Sequence, residues 1–144
     1  MLRGLSPLLS PDLLAVLSRM GHGDELVLAD AHFPGDTCNA RVLRADGVRI
    51  APLLDGILPL WTLDPYVAHP VVMMAPVEGD TLDQSVVDGY RAVIAAHHPE
   101  TPPTAFIPRF EFYDRARKAF AVVVTGETAK YGNIIIKKGV IPLA

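Results

Sequence analysis

The chain has 144 residues, half of them hydrophobic and a fifth charged, which suits one ordinary domain with a sizeable core and excludes intrinsic disorder. The formal net charge of −3 gives no electrostatic footprint for nucleic acid, and the single Cys38 excludes a disulfide framework or a cysteine-built zinc site. Residues 1–144 are therefore expected to form a single domain. The mean hydropathy of +0.28 is high for a monomer of this size and points to apolar surface covered by a partner subunit. No segment reads as targeting or membrane-spanning. The most apolar stretch, residues 50–61, is broken by Pro52, Asp55, Gly56 and Pro59. The expectation is a soluble cytoplasmic protein with no nucleic-acid or membrane partner.

The first element is a helix. Ser10 caps it, Pro11 takes the first helical position and Asp12 favours the positive end of the dipole. Leu13, Leu14, Val16, Leu17 and Met20 form its apolar face, and Gly21 is expected to end it in a left-handed turn. A buried strand follows over residues 25–29. Residues 48–61 are expected to mix a short strand and a helix. Residues 71–75 read as a strand and residues 82–96 as a helix with an apolar stripe of Val86, Val87, Tyr90, Val93 and Ile94. Residues 97–103, rich in histidine and proline, read as a surface loop. A short amphipathic helix over 111–119 and strands over 120–125 and 133–137 complete the chain. Strands alternating with helices predict a three-layer α/β fold, and connections too short for helical crossovers predict a mixed sheet.

Four segments could carry chemistry. In Gly21-His22-Gly23-Asp24, two glycines let the backbone turn sharply and present an imidazole that titrates near neutrality; the plain alternative is an exposed turn histidine. Asp30 follows a buried strand, where ligands collect in α/β sheets, and could bind hydroxyls or orient His22; the alternative is a turn aspartate. His32 reads as a rim residue. In Arg109-Phe110-Glu111-Phe112-Tyr113, Arg109 and Tyr113 lie one helical turn apart, and on the residues alone amphipathic packing with Arg109 ion-paired at the surface is the favoured reading. In residues 125–134, Gly126 and Gly132 bracket a loop whose Tyr131 and Asn133 offer a stacking face and an amide, against the alternative of a hairpin-like turn. There is no nucleophile elbow, phosphate loop, dinucleotide fingerprint or zinc-protease pair, and a metal site from His22, Asp30 and His32 has no motif behind it.

Together these blocks resemble the ribose pyranase and fucose mutarotase family. The resemblance runs from about Leu2 to Gly139. It rests on residues 8–14, Met20-Gly21-His22-Gly23-Asp24-Glu25, Ala29-Asp30-Ala31, residues 109–116 and Tyr131-Gly132-Asn133-Ile134-Ile135. It implies an α/β domain assembled into a ring-like homo-oligomer, a decamer in many members, with sites between neighbouring subunits. It implies action on free, unphosphorylated monosaccharides with no cofactor and no metal. By position, His22 resembles the catalytic acid, with Tyr113 sharing in proton transfer. Asp30 resembles a hydroxyl-binding carboxylate close to His22. Asp64, Arg109, Tyr131 and Asn133 resemble further sugar-binding positions. His32 departs from the asparagine usual in the fucose branch, whereas Phe33-Pro34 favours that branch over the ribose branch. The implied reaction is exchange of the α and β anomers of L-fucose. Pyranose–furanose interconversion of ribose and non-catalytic sugar binding are the alternatives.

Overall fold

In a computed structural model, which describes residues 1–143, the chain forms a six-stranded sheet with helices on both faces. Ser10 caps helix α1 (Pro11–Arg19) as expected, its hydroxyl accepting from the Leu13 amide at 3.1 Å. The helix ends before Gly21, because Met20 already has extended backbone. The left-handed residue of the next turn is Gly23, at φ 86°. Strand β1 (Glu25–Ala29) follows, and after a short helix α2 (Gly35–Cys38) comes strand β2 (Val42–Ala45). Residues 48–61 hold no strand. Ile50, Leu53, Leu54 and Ile57 repeat at helical spacing, so the segment forms helix α3 (Ile50–Ile57) and a 3-10 turn (Leu58–Leu60). Strand β3 (Val71–Met74) leads to helix α4 (Gln84–His97), which starts two residues later than expected because Asp83 caps it. Strand β4 (Ala105–Ile107) and helix α5 (Arg109–Lys118) precede strands β5 (Ala121–Thr125) and β6 (Ile134–Lys137).

The strand order is β2-β5-β1-β6-β3-β4, and only β6 runs against its neighbours. The sheet is thus mixed, as expected, but β5 and β6 do not form a hairpin because β1 lies between them. Alternation along each strand feeds two cores. Leu26, Leu28, Val123, Ile134 and Ile136 face α1, α3 and α4, whereas Val27, Ala29, Val122, Val124 and Ile135 face α2 and α5. Trp61 is buried in the first core. Cys38 is buried in the second, where burial pushes its thiol pKa up. Among the described residues, no helix is long and apolar enough to cross a membrane.

Candidate active site

The carboxyl ends of β1 and β3 and the amino end of β6 meet at one edge of the sheet, since β6 runs the other way. The loops there enclose a cleft of about 210 Å³, lined by Asp30, His32, Phe33, Arg109, Tyr113, Lys130, Tyr131 and Asn133 among others. Five residues singled out in the sequence (Asp30, Arg109, Tyr113, Tyr131 and Asn133) therefore converge from elements far apart in the chain.

Their hydrogen bonds fix what each can offer. The Asp30 amide donates to Asn133 Oδ1 at 2.7 Å, and Asp30 Oδ1 accepts from the His32 amide at 2.9 Å. Burial raises the Asp30 carboxyl pKa from its ordinary value, opposed by the His32 amide and the Asn133 side chain. Arg109, the first residue of α5, donates from Nε to Tyr113 Oη at 3.1 Å. Tyr113 accepts there, so its own proton is free for a ligand. Phe33 walls the cleft, its ring centroid 5.6 Å from that of Tyr113. The loop over residues 126–132 is tied down from within. Glu127 Oε1 accepts from the amides of Thr128 and Ala129 and from Arg49, and Tyr90 Oη donates to the Gly132 carbonyl at 2.8 Å.

His22 is not in this cleft. It precedes β1, whereas Asp30 follows it, so the two lie about 20 Å apart at the usual rise of a strand. The expectation that Asp30 sits beside His22 fails within one chain, and the same separation prevents His22, Asp30 and His32 from converging as metal ligands. His22 occupies the corner of a turn in which the Asp24 amide donates to the Gly21 carbonyl. Gly23 supplies the positive φ that this turn needs. The partner of His22 is Asp64, with Nε2 3.3 Å from Oδ1. Asp64 is only 3% exposed and also accepts from the Tyr66 amide at 3.0 Å. A carboxylate can only accept, so Nε2 carries the proton of this bond, and Nδ1 makes no hydrogen bond among the described residues. Tyr66 packs against the imidazole, and both rings are substantially exposed. Asp64 therefore belongs to the His22 half-site rather than to the Asp30 cleft. Lys130, His32 and Met74 also line the cleft. Met74 reads in sequence only as part of a buried strand.

The model of the RbsD / FucU transport protein family matches residues 3–141. The chain belongs to that family. An L-fucose mutarotase of Actinobacillus pleuropneumoniae serotype 5b is 57% identical over 143 residues, 99% of each chain. An L-fucose mutarotase of Histophilus somni (strain 2336) is 55% identical over 143 residues, again 99% of each. The crystal structure of the fucose mutarotase from Streptococcus pneumoniae in complex with L-fucose superposes with a TM-score of 0.93 at 45% identity. It covers 98% of this chain and 100% of that one. The family match thus spans β1 to β6 and every residue of the cleft.

Proposed function

We propose that this RbsD / FucU family member is an L-fucose mutarotase, exchanging the α and β anomers of the free sugar. The observation that carries the reading is end-to-end similarity to L-fucose mutarotases in a chain whose polar loops gather in one cleft. Mutarotation opens a hemiacetal and closes it on the other face of C1. One group protonates the ring oxygen as another takes the anomeric hydroxyl proton, and the aldehyde turns about C1–C2 before the transfers reverse. No electron or hydride moves. Tyr113, with a free phenolic proton, and His22, with Nδ1 free, are the proton-transfer groups. Asp30, Arg109, Tyr131 and Asn133 hold the hydroxyls, and Asp64 fixes the His22 ring.

The separation of His22 from Asp30 supports a site shared between copies, in which His22 of one copy faces the Asp30 cleft of the next. The exposure of Phe110 (72%) and Tyr66 (76%) supports the same assembly, since rings that open to water favour cover by a neighbour. The homodecameric ring and the cytoplasmic location expected from the resemblance are part of this proposal. Saturation-transfer NMR on α- and β-L-fucose, with D-ribose in parallel, tests it. Exchange on fucose above buffer that disappears in His22→Ala supports the reading. Exchange on ribose alone moves the chain to pyranase chemistry, and no exchange on either sugar overturns an enzymatic role on them.

A further inference from the structure

Tyr131 departs from the rest of the cleft in its backbone. It is the only non-glycine residue with positive φ among the described residues, at 60°, a conformation that persists only when its surroundings hold it. Part of the hold is local, through the Gly132 amide donating to the Ala129 carbonyl and the Tyr90 bond to Gly132. The other part comes from the loop between β3 and α4. There, Asp80 Oδ2 accepts from Tyr131 Oη at 2.8 Å, and Oδ1 accepts from Lys130 Nζ and from the Thr81 amide, each at 2.8 Å. Asp80 is itself set by a tight turn. Its amide donates to the Val77 carbonyl at 3.0 Å, and Gly79 at φ 85° supplies the left-handed residue the turn requires. Asp80 does not line the cleft, whereas Tyr131 and Lys130 do.

We propose that Asp80 is a positioning residue for the sugar site: it takes the single hydroxyl proton of Tyr131, so that this phenol meets the ligand only as an acceptor. The inference rests on reading the cleft as the sugar site. A carboxylate accepts and a phenol has one proton, so the direction of the bond follows from the residue types. Lys130 balances the charge of Asp80 at Oδ1, the oxygen that the phenol does not use. Tyr113 has the opposite polarity, because Arg109 donates to it and leaves its proton free. The cleft therefore presents one tyrosine that donates and one that accepts. A hydroxyl seated against Tyr131 must give its proton, a demand that a ring oxygen or a carbonyl cannot meet.

A double-mutant cycle on the intact protein tests this. Anomer exchange on L-fucose is measured against sugar concentration for the wild type, Asp80→Ala, Tyr131→Phe and the double variant, with assembly and Tm checked for each. Asp80→Leu, which keeps the branched shape but has no acceptor, replaces Asp80→Ala if the alanine variant does not fold. Asp80→Ala is expected to raise KM about five- to tenfold, with kcat changed less than about twofold, the scale of one hydrogen bond lost without the chemistry. In the Tyr131→Phe background the same substitution is expected to have a clearly smaller effect, because no phenol is left to orient and only the Lys130 contact is lost. Equal effects of Asp80→Ala in both backgrounds, or a fall in kcat at constant KM, overturn the inference while leaving the mutarotase reading in place. Absence of exchange in the wild type overturns both.

Discussion

Mixing two impaired variants discriminates a shared site from a self-contained one. His22 and Asp30 flank the five-residue strand β1 from opposite ends, about 20 Å apart, and their two side chains together span far less than that. If each cleft joins Asp30 of one copy to His22 of the next, His22→Ala chains still provide Asp30 and Asp30→Asn chains still provide His22. Random assembly of equal amounts then places both intact residues at about one cleft in four. Alone, His22→Ala should lose about 10²- to 10⁴-fold, the usual contribution of a general acid or base. Asp30→Asn should lose about ten- to a hundredfold, the scale of hydrogen bonds to a charged group. Variants co-expressed with different tags, purified through both tags and assayed by saturation transfer should recover about a quarter of wild-type exchange. Activity no greater than the mean of the separate variants, in assemblies that native mass spectrometry shows to be mixed, refutes the shared site.

Asp30 should also trade stability for function. Burial raises its carboxyl pKa, so between the ordinary value and the raised one the folded chain holds a proton that the unfolded chain has released. Above that window the folded state bears a buried charge at a cost. Asp30→Asn should therefore raise Tm at pH 7, and the advantage should shrink as pH falls through the raised value. Equal Tm differences at pH 7 and pH 4 would contradict this. Tyr90→Phe leaves the Gly132 carbonyl without its partner and should cost about 1–2 kcal/mol in urea unfolding. A Cβ added at Gly139 would lie 2.9 Å from Asp64 Cα and from the Leu63 carbonyl oxygen. Gly139→Ala should cost about 1–3 kcal/mol and slow exchange by displacing the carboxylate that holds His22, read by denaturation and NMR together.

The sequence was legible where the physics is local. Ser10-Pro11-Asp12 encodes its helix start within one turn, and the apolar runs at 25–29 and 71–75 can only be buried. Strand β2 has no signature in the sequence because Val42, Leu43 and Ala45 are half-buried and Arg44 faces solvent, which leaves no alternation. Strand β4 is three residues long behind two prolines. The pairing of β1 between β5 and β6 is not encoded in any turn. It arises from matching faces more than ninety residues apart, so a local reading of residues 126–132 as a hairpin turn misplaces both strands. The cleft residues were identifiable as residue types and through family resemblance, but their grouping was not. Asp80 carried no signal at all, because its role depends on a phenol brought to it by the sheet.

The β1–β6 pair links the two half-sites. Leu28 pairs with Ile134 and Glu25 with Lys137, so one antiparallel ladder has Asp30 and Asn133 at one end and the His22 turn and Lys138 at the other. Ile134, Ile135 and Ile136 are all fully buried, and both faces of the sheet are apolar. Hydrophobic alternation therefore does little to choose the register of β6. The ends choose it. The Asp30 amide donates to Asn133 Oδ1, the Lys138 amide donates to the Asp24 carbonyl, and the Gly23 amide donates to the Lys138 carbonyl at 2.8 Å. A slip of one residue would break the bonds at both ends and leave the buried Asn133 amide without its Asp30 partner, while barely changing the burial between them. The residues that hold the register are thus those that shape the two half-sites. Correct folding of this strand pair and correct placement of the chemistry are consequently one requirement, met by the same few hydrogen bonds.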